Sequence, residues 1–476
     1  RDMKKKNLFF ALAAGMVMFS ACSNDDDIVN NGGNGQDDAQ VQSLVLQIAS
    51  SGDGLTTRAG RPLYSNEAAQ NIQKVALYFV NDENKVVLKK LVDWDSAVDY
   101  TDGKQLEISL KKENNQKLPD DTYTVYAVGY SSNSGYTNSP ALPTDDKGTA
   151  NGTDTWNATD FNATITYDIT KNGAEEIFAG ELTNLVVADG AFSLKTDGTK
   201  NTITLHRQVA GVTGYFTNIP VSVNGKNSQY LRLVATNNSD KVKFTDFNTT
   251  FTQNGNQGST VWYIVNGEKT SSLSASGKFA DGTTDAYTLY EINLENWFKN
   301  TPQNTGDYKG YDYNEDGFLG YQDIQKYLED NGGSDYSAVW VNKNGNDNQS
   351  LVRGSVFDGK FVIPFEKVSQ KQTLQLQLLD KNKNILKYWN INVKQGDLHT
   401  ATSGSATTEK VDENASVYNI YRNHMYNVGM KEATNPGTPD PEKPTDPEKP
   451  EDLSKGQDLI IQVNDNWEII HQMEID

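Results

Sequence analysis

Leu374-Gln375-Leu376-Gln377-Leu378 is followed by the turn Asp380-Lys381-Asn382-Lys383-Asn384 and then by Ile385-Leu386-Lys387-Tyr388-Trp389-Asn390-Ile391-Asn392-Val393. Leucine and glutamine alternate on the first arm, the period at which a strand places every second side chain on one face. The polar turn returns the chain as an antiparallel neighbour. Outward from this pair the same period dominates. Val75, Leu77 and Phe79 alternate, and Val86 and Leu88 resume after Asn81-Asp82-Glu83-Asn84, a second hairpin. Tyr123-Thr124-Val125-Tyr126-Ala127-Val128-Gly129-Tyr130 is apolar on both faces, as suits a central strand covered on each side. Glu176-Ile177-Phe178-Ala179-Gly180, Thr202-Ile203-Thr204-Leu205 and Val209 carry the pattern to about residue 210, and a second set starts near Gly211. The fold class that follows is all-β with short helices. It comprises two tandem antiparallel β-sandwich domains, 59–210 and 211–432, with Greek-key-like connections, plus a C-terminal extension strand.

Composition narrows the function. A chain of 476 residues holds one to three folded units. Only 36% of it is hydrophobic, yet 10% is aromatic, which suits a folded, loop-rich protein rather than a disordered one. The formal charge of -20 repels polyphosphates, so nucleic acid is excluded as a partner. The single cysteine, Cys22, rules out an intramolecular disulfide and a thiolate metal site. His206, His399, His424 and His471 stand apart from any triad or metal-binding spacing, and no G-x-S-x-G, H-E-x-x-H or phosphate-cradling glycine loop occurs. The chain is therefore expected not to be an enzyme, to have no catalytic residue and to require no cofactor.

The first sixty residues read as processing signals. Lys4, Lys5 and Lys6 precede an apolar run over 8–19, too short to span a bilayer but suited to the core of an export signal. Phe19-Ser20-Ala21-Cys22 resembles the lipobox of bacterial lipoproteins, whose cysteine is acylated after cleavage; an incidental signal-peptide cysteine is the alternative. Residues 1–22 are thus the signal. Ser23-Asn24-Asp25-Asp26-Asp27 resembles the acidic tract that routes lipoproteins of the Bacteroidetes to the outer face of the outer membrane. A polar tether over 28–42 leads to the strand-like Leu44-Val45-Leu46-Gln47-Ile48. Small and polar residues then surround Arg58, an accessible loop that a trypsin-like protease can cut before Ala59, although exposed arginines are ordinary.

At the other end, residues 433–456 are a proline-rich linker. The last segment, 457–476, is an apolar strand in which Leu459, Ile461 and Val463 alternate, continued by Trp467, Ile469, His471, Met473 and Ile475. Such a strand needs a partner, either its own C-terminal domain or another molecule. Between the ends, Asp312-Tyr313-Asn314-Glu315-Asp316-Gly317-Phe318 with Asp323 at the twelfth position fits a calcium loop. Asp312, Asn314, Asp316 and Asp323 would give side-chain oxygens and Phe318 its carbonyl, with 324–328 as the exiting helix. An acidic turn shaped by its Asn and Gly is the alternative.

Taken together, Cys22, Arg58, Tyr123-Thr124-Val125-Tyr126-Ala127-Val128, Ile177-Phe178-Ala179-Gly180, Arg207-Gln208-Val209-Ala210-Gly211-Val212 and Arg422-Asn423-His424-Met425-Tyr426-Asn427-Val428 resemble the fimbrillins of Bacteroidia, the type V pilins. The resemblance implies a structural subunit of a surface fimbria that supports adhesion and biofilm formation. It implies export as an outer-membrane lipoprotein through Cys22 and cleavage at Arg58-Ala59 by an arginine-specific surface protease. Loss of the tether and propeptide strand, 23–58, would leave a groove in the N-terminal sandwich. A neighbour's C-terminal strand, with Leu459, Ile461, Val463, Trp467, Ile469, His471, Met473 and Ile475, would fill it. The partners implied are other fimbrial subunits, in a self-polymer or as accessory, tip or anchor pilins. A monomeric surface lipoprotein or a tip adhesin that binds glycans or host proteins is the competing reading.

Overall fold

The computed structural model describes residues 42–48, 73–130 apart from 84, 95–97, 101–102 and 111–116, then 165–166, 174–243, 251–252, 260–261, 264–341, 351–393, 400–402, 405–407, 415–429, 450–455 and 458–464. The N-terminal sheet contains β1 (Gln42–Ile48), β2 (Lys74–Val80), β3 (Val86–Asp93), β4 (Val98–Tyr100), β5 (Gly103–Leu110), β6 (Asp121–Tyr130), β7 (Phe178–Ala188) and β8 (Thr202–Arg207). Their order is β3-β2-β6-β7-β8-β1-β5-β4. The β2–β3 hairpin forms as its alternation predicts, with Asn81 Oδ1 accepting from the Lys85 amide at 2.9 Å to close the turn.

β8 folds this sheet into two layers. Ile203 and Leu205 lie opposite Leu46 and Ile48 of β1, whereas His206 and Arg207 pair with Ala179 and Phe178 of β7. The layers face each other over one apolar cluster in which Leu44, Leu46, Ile108, Leu110, Ile203 and Leu205 meet Leu77, Phe79, Val125 and Phe178. Gly180 is required where β7 crosses β8, because a Cβ there would collide with the Thr204 carbonyl. That explains why a small residue ends the Ile-Phe-Ala-Gly run.

β6 is apolar on both faces for a reason the layers make plain. Tyr123, Val125 and Ala127 enter the N-terminal core, while Tyr126, Val128 and Tyr130 join a second cluster with Val209, Phe361, Ile363 and Met425. The N-terminal sheet is therefore packed against C-terminal residues.

The second sheet is built from β9 (Ala210–Thr217), β10 (Tyr230–Ala235), β11 (Asp285–Asn293), β12 (Val356–Val362), β13 (Leu374–Leu379), β14 (Ile385–Val393), β15 (Met425–Val428) and β16 (Leu459–Asn464). Its order is β11-β10-β13-β14-β16-β15-β9-β12. The β13–β14 hairpin is present as its period predicts, and every residue of β13 is buried, glutamines included. Gln377 manages this by accepting from Arg232 Nη2 at 2.8 Å and donating to the Lys278 carbonyl at 3.0 Å. One α-helix is described, α1 (Tyr321–Asn331), in a segment that packs Leu319 and Ile324 onto the same core.

Among the described residues the pairing departs from a purely antiparallel reading at four places: β1 runs parallel to β8, β15 to β9, β16 to β14, and Glu451–Asp452 to the end of β9. Each joins segments far apart in the chain, so no tight turn constrains their direction.

Leu46 is fully buried in the N-terminal core. Leu46→Ala is expected to lower the unfolding free energy of the uncut chain by about 2–5 kcal/mol, as for other buried leucines. Urea denaturation followed by tryptophan fluorescence measures it.

Candidate functional site

β1 lies inside its sheet, with β5 antiparallel along one edge and β8 parallel along the other. Leu44 and Leu46 are fully buried. The start of the strand is anchored by a side chain that hydropathy reading passes over. Gln42 is 1% exposed; its Nε2 donates to the Leu118 carbonyl at 2.7 Å and to the Gly190 carbonyl at 3.2 Å. Its Oε1 accepts from the Leu118 amide at 2.7 Å. The carboxamide thus satisfies both main-chain groups of Leu118 as a peptide unit of a neighbouring strand would. A buried polar residue in an apolar run was the only signal in the sequence.

The C-terminal strand occupies a comparable position in the other sheet. β16 lies between β14, parallel, and β15, antiparallel, and Leu459 is 1% exposed. Within this chain the tail strand thus closes its own sheet. Just before it, Glu451 and Asp452 align with Phe216 and Thr217 of β9, and Leu453 is buried. Cys22, Arg58, Ala59, Trp467, Ile469, His471, Met473 and Ile475 lie outside the described residues, as do the side chains of Ile461 and Val463.

The two motifs centred on Arg207 and Arg422 meet where the two sheets join. Arg207 donates from Nε and Nη2 to Glu176 Oε1 at 3.1 and 2.9 Å, and from Nη1 to Asn423 Oδ1 at 3.1 Å. Arg422, 1% exposed, donates to Gln208 Oε1 at 3.2 Å, and Asn266 donates to the same oxygen at 3.1 Å. The His424 ring lies beside Tyr421 and Tyr426, with Nδ1 2.7 Å from the Arg422 carbonyl. Each guanidinium thus meets a side-chain acceptor, which keeps the charges tolerable away from water. Of the other described arginines, Arg232 is buried and Arg353 lies over the Tyr336 ring at 4.8 Å.

The chain is similar to fimbrial proteins. The tip fimbrial protein Mfa3 from Porphyromonas gingivalis, solved with a C-terminal truncation, is 10% identical with a TM-score of 0.33, covering 89% of this chain and 99% of that one. A fimbrial assembly protein from Parabacteroides distasonis is 12% identical with a TM-score of 0.30, covering 83% and 92%. No protein-family model and no curated protein matches the chain.

The acidic loop is ordered by its own main chain. Asp312 accepts from the Asp316 amide at 3.1 Å and the Gly317 amide at 2.8 Å, and Asp316 accepts from the Phe318 amide at 2.9 Å. Gly317, at φ 88°, takes the left-handed turn. Asp323, fully buried, accepts from Tyr313 at 2.6 Å with one oxygen and from Gly320, at the N-terminus of α1, at 2.8 Å with the other. Burial pushes its carboxyl up to about 7. Asp323 therefore cinches the loop to the helix start, a task the motif reading did not assign to it. The exiting helix is present as predicted. Among the described residues, no three His, Cys, Asp or Glu side chains are grouped so as to hold a metal, a count that leaves out Asn314 and the Phe318 carbonyl.

Because Glu176 is fully buried against Arg207, Glu176→Ala is expected to cost about 3–5 kcal/mol in unfolding free energy by stranding the guanidinium. Glu83→Ala, which removes an exposed partner of Lys85, is expected to leave the thermal midpoint unchanged. Calorimetry of the two variants separates these outcomes.

Proposed function

We propose that this chain is a structural subunit of a cell-surface fimbria that supports adhesion and biofilm formation. It is exported as a lipoprotein acylated at Cys22, cut after Arg58 by an arginine-specific protease, and joined to other subunits by strand addition. The observation that carries this reading is the interior position of β1. It is the first described strand, it precedes Arg58 in the chain, and both of its edges are hydrogen-bonded. Removing it strands the inward-facing main-chain groups of β5 and β8 and uncovers the apolar floor that Leu44 and Leu46 cover. A strand from elsewhere restores both, and its large apolar side chains contribute about 1.5–3 kcal/mol each. Such a contact joins unlike surfaces, so repeated head to tail it grows into a fibre.

The cis pairing of β16 favours a second reading. A subunit whose tail stays in its own sheet offers no strand to a neighbour and ends a filament, as a tip or other terminal subunit would. The deciding experiment is mass spectrometry of the N-terminus of protein sheared from cells, with SDS electrophoresis of unheated extracts. An N-terminus at Ala59 with an SDS-resistant ladder supports the stalk reading, and a ladder lost on deletion of 457–476 strengthens it. An acylated Cys22 with intact Arg58 and monomer alone would sink it.

For the loop over 312–323 we propose calcium as a structural ligand, supported by the donor set of Asp312, Asn314, Asp316, Asp323 and the Phe318 carbonyl. Isothermal titration is expected to show saturable uptake of one calcium per chain, lost in Asp312→Ala. Absence of uptake leaves the loop as a turn held by Asp323.

A further inference from the structure

Two alternating leucines fix the register of a strand only to within two residues. A slip of one turns Leu44 and Leu46 away from the core, but a slip of two keeps them facing it. In β1 this ambiguity is removed by Gln42, whose carboxamide reaches Leu118 and Gly190 at a single position along the slot. A strand shifted by two would leave the Leu118 amide and carbonyl buried without that partner.

The tail repeats the pattern without a gap. Gln42-Ser43-Leu44-Val45-Leu46-Gln47-Ile48 aligns with Gln457-Asp458-Leu459-Ile460-Ile461-Gln462-Val463. Glutamine recurs at the first and sixth places and leucine at the third, and the other three apolar places stay apolar. Only the second place changes in kind, from Ser43 to Asp458. The parallel register carried back two residues sets that place beside Lys200, a cation that pairs with Glu107 in the uncut chain. The settings match as well, since both strands have one parallel and one antiparallel neighbour. The β1 slot is the longer of the two. β1 pairs over 45–48 on one side and 42–47 on the other, whereas β16 pairs over 459–461 and 461–464.

We infer that the slot between β5 and β8 selects strands that begin with glutamine two residues before a buried leucine, so that the tail of a second copy, the donor that the proposed strand addition calls for, enters it in one register only. Gln457 of the incoming strand then takes the place of Gln42 on Leu118 and Gly190, with Leu459 and Ile461 in the places of Leu44 and Leu46. Gln457 is the residue that sets register and specificity. This inference rests on the proposed loss of β1 and its replacement by a neighbour's tail, and adds to that reading the alignment of the incoming strand and the residue that sets it.

The test uses the full chain, cut by an arginine-specific protease so that Cys22 is removed with the propeptide. If the cut wild-type protein gives no SDS-resistant ladder, strand addition itself fails and this inference with it. Given a ladder, Gln457→Met is expected to reduce it roughly ten- to a hundredfold, the effect of stranding a buried amide and carbonyl. The alignment is read separately by disulfide trapping. Ser43 lies opposite Ser109, and Val45 opposite Glu107. A chain carrying Ser109→Cys and Asp458→Cys is therefore expected to cross-link between molecules, while Ser109→Cys with Ile460→Cys is not. A wild-type ladder unaffected by Gln457→Met, or trapping through Ile460→Cys instead, overturns the alignment. A cross-link confined to monomers overturns the second copy as occupant.

Discussion

A strand inside a sheet has no main-chain group left over, and in the N-terminal sandwich that condition is met by β1, the first described strand. Its neighbours are committed to it along both edges. Main-chain donors and acceptors that lose such a partner away from water cost as much as lost hydrogen bonds. The apolar layer beneath adds to the demand, because Leu44 and Leu46 share one cluster with side chains from both layers. The sandwich therefore tolerates either a strand in this place or a replacement, and an empty slot is a high-energy state.

The union of the two sheets is of a different kind. β8 ends at Arg207 and β9 begins at Ala210, so only Gln208 and Val209 link them, and both are fully buried. Around this short link Glu176, Arg207, Arg422, Asn423 and Asn266 are matched by directional hydrogen bonds. Apolar packing through Phe361, Ile363 and Met425 holds the halves together, while the polar set fixes their mutual angle. Rotation at the joint would strand several charges and amides at once, so the joint is stiff.

Much of this was legible in the sequence because it is local. Hairpins announce themselves by period-two alternation around a polar turn, as at β2–β3 and β13–β14, and a run apolar on both faces, as in β6, announces a strand covered twice. The parallel pairings were not legible, since β1 with β8 or β14 with β16 joins segments with no shared turn. Gln42 was invisible to hydropathy because what makes it at home inside the sheet is the backbone of Leu118, which comes 76 positions later. Asp323 shows a further limit. A carboxylate at the twelfth place of an acidic loop and a carboxylate in the first turn of a helix are the same letter, and only coordinates show the second use.

The placement of arginine has a consequence for durability. The chain has seven arginines among its 43 basic residues. The four that are described are Arg207, Arg232 and Arg422, all buried, and Arg353, half-buried on a tyrosine ring. Lysines such as Lys85, Lys278 and Lys381 stand in the open. A protease must thread several residues of extended chain through its cleft, which folded arginines deny it. In the described part of the molecule, an arginine-directed enzyme meets few footholds while a lysine-directed one meets many. Attack by an arginine-directed enzyme on the described part of the molecule would therefore wait on unfolding, whereas a lysine-directed one could begin on the folded surface.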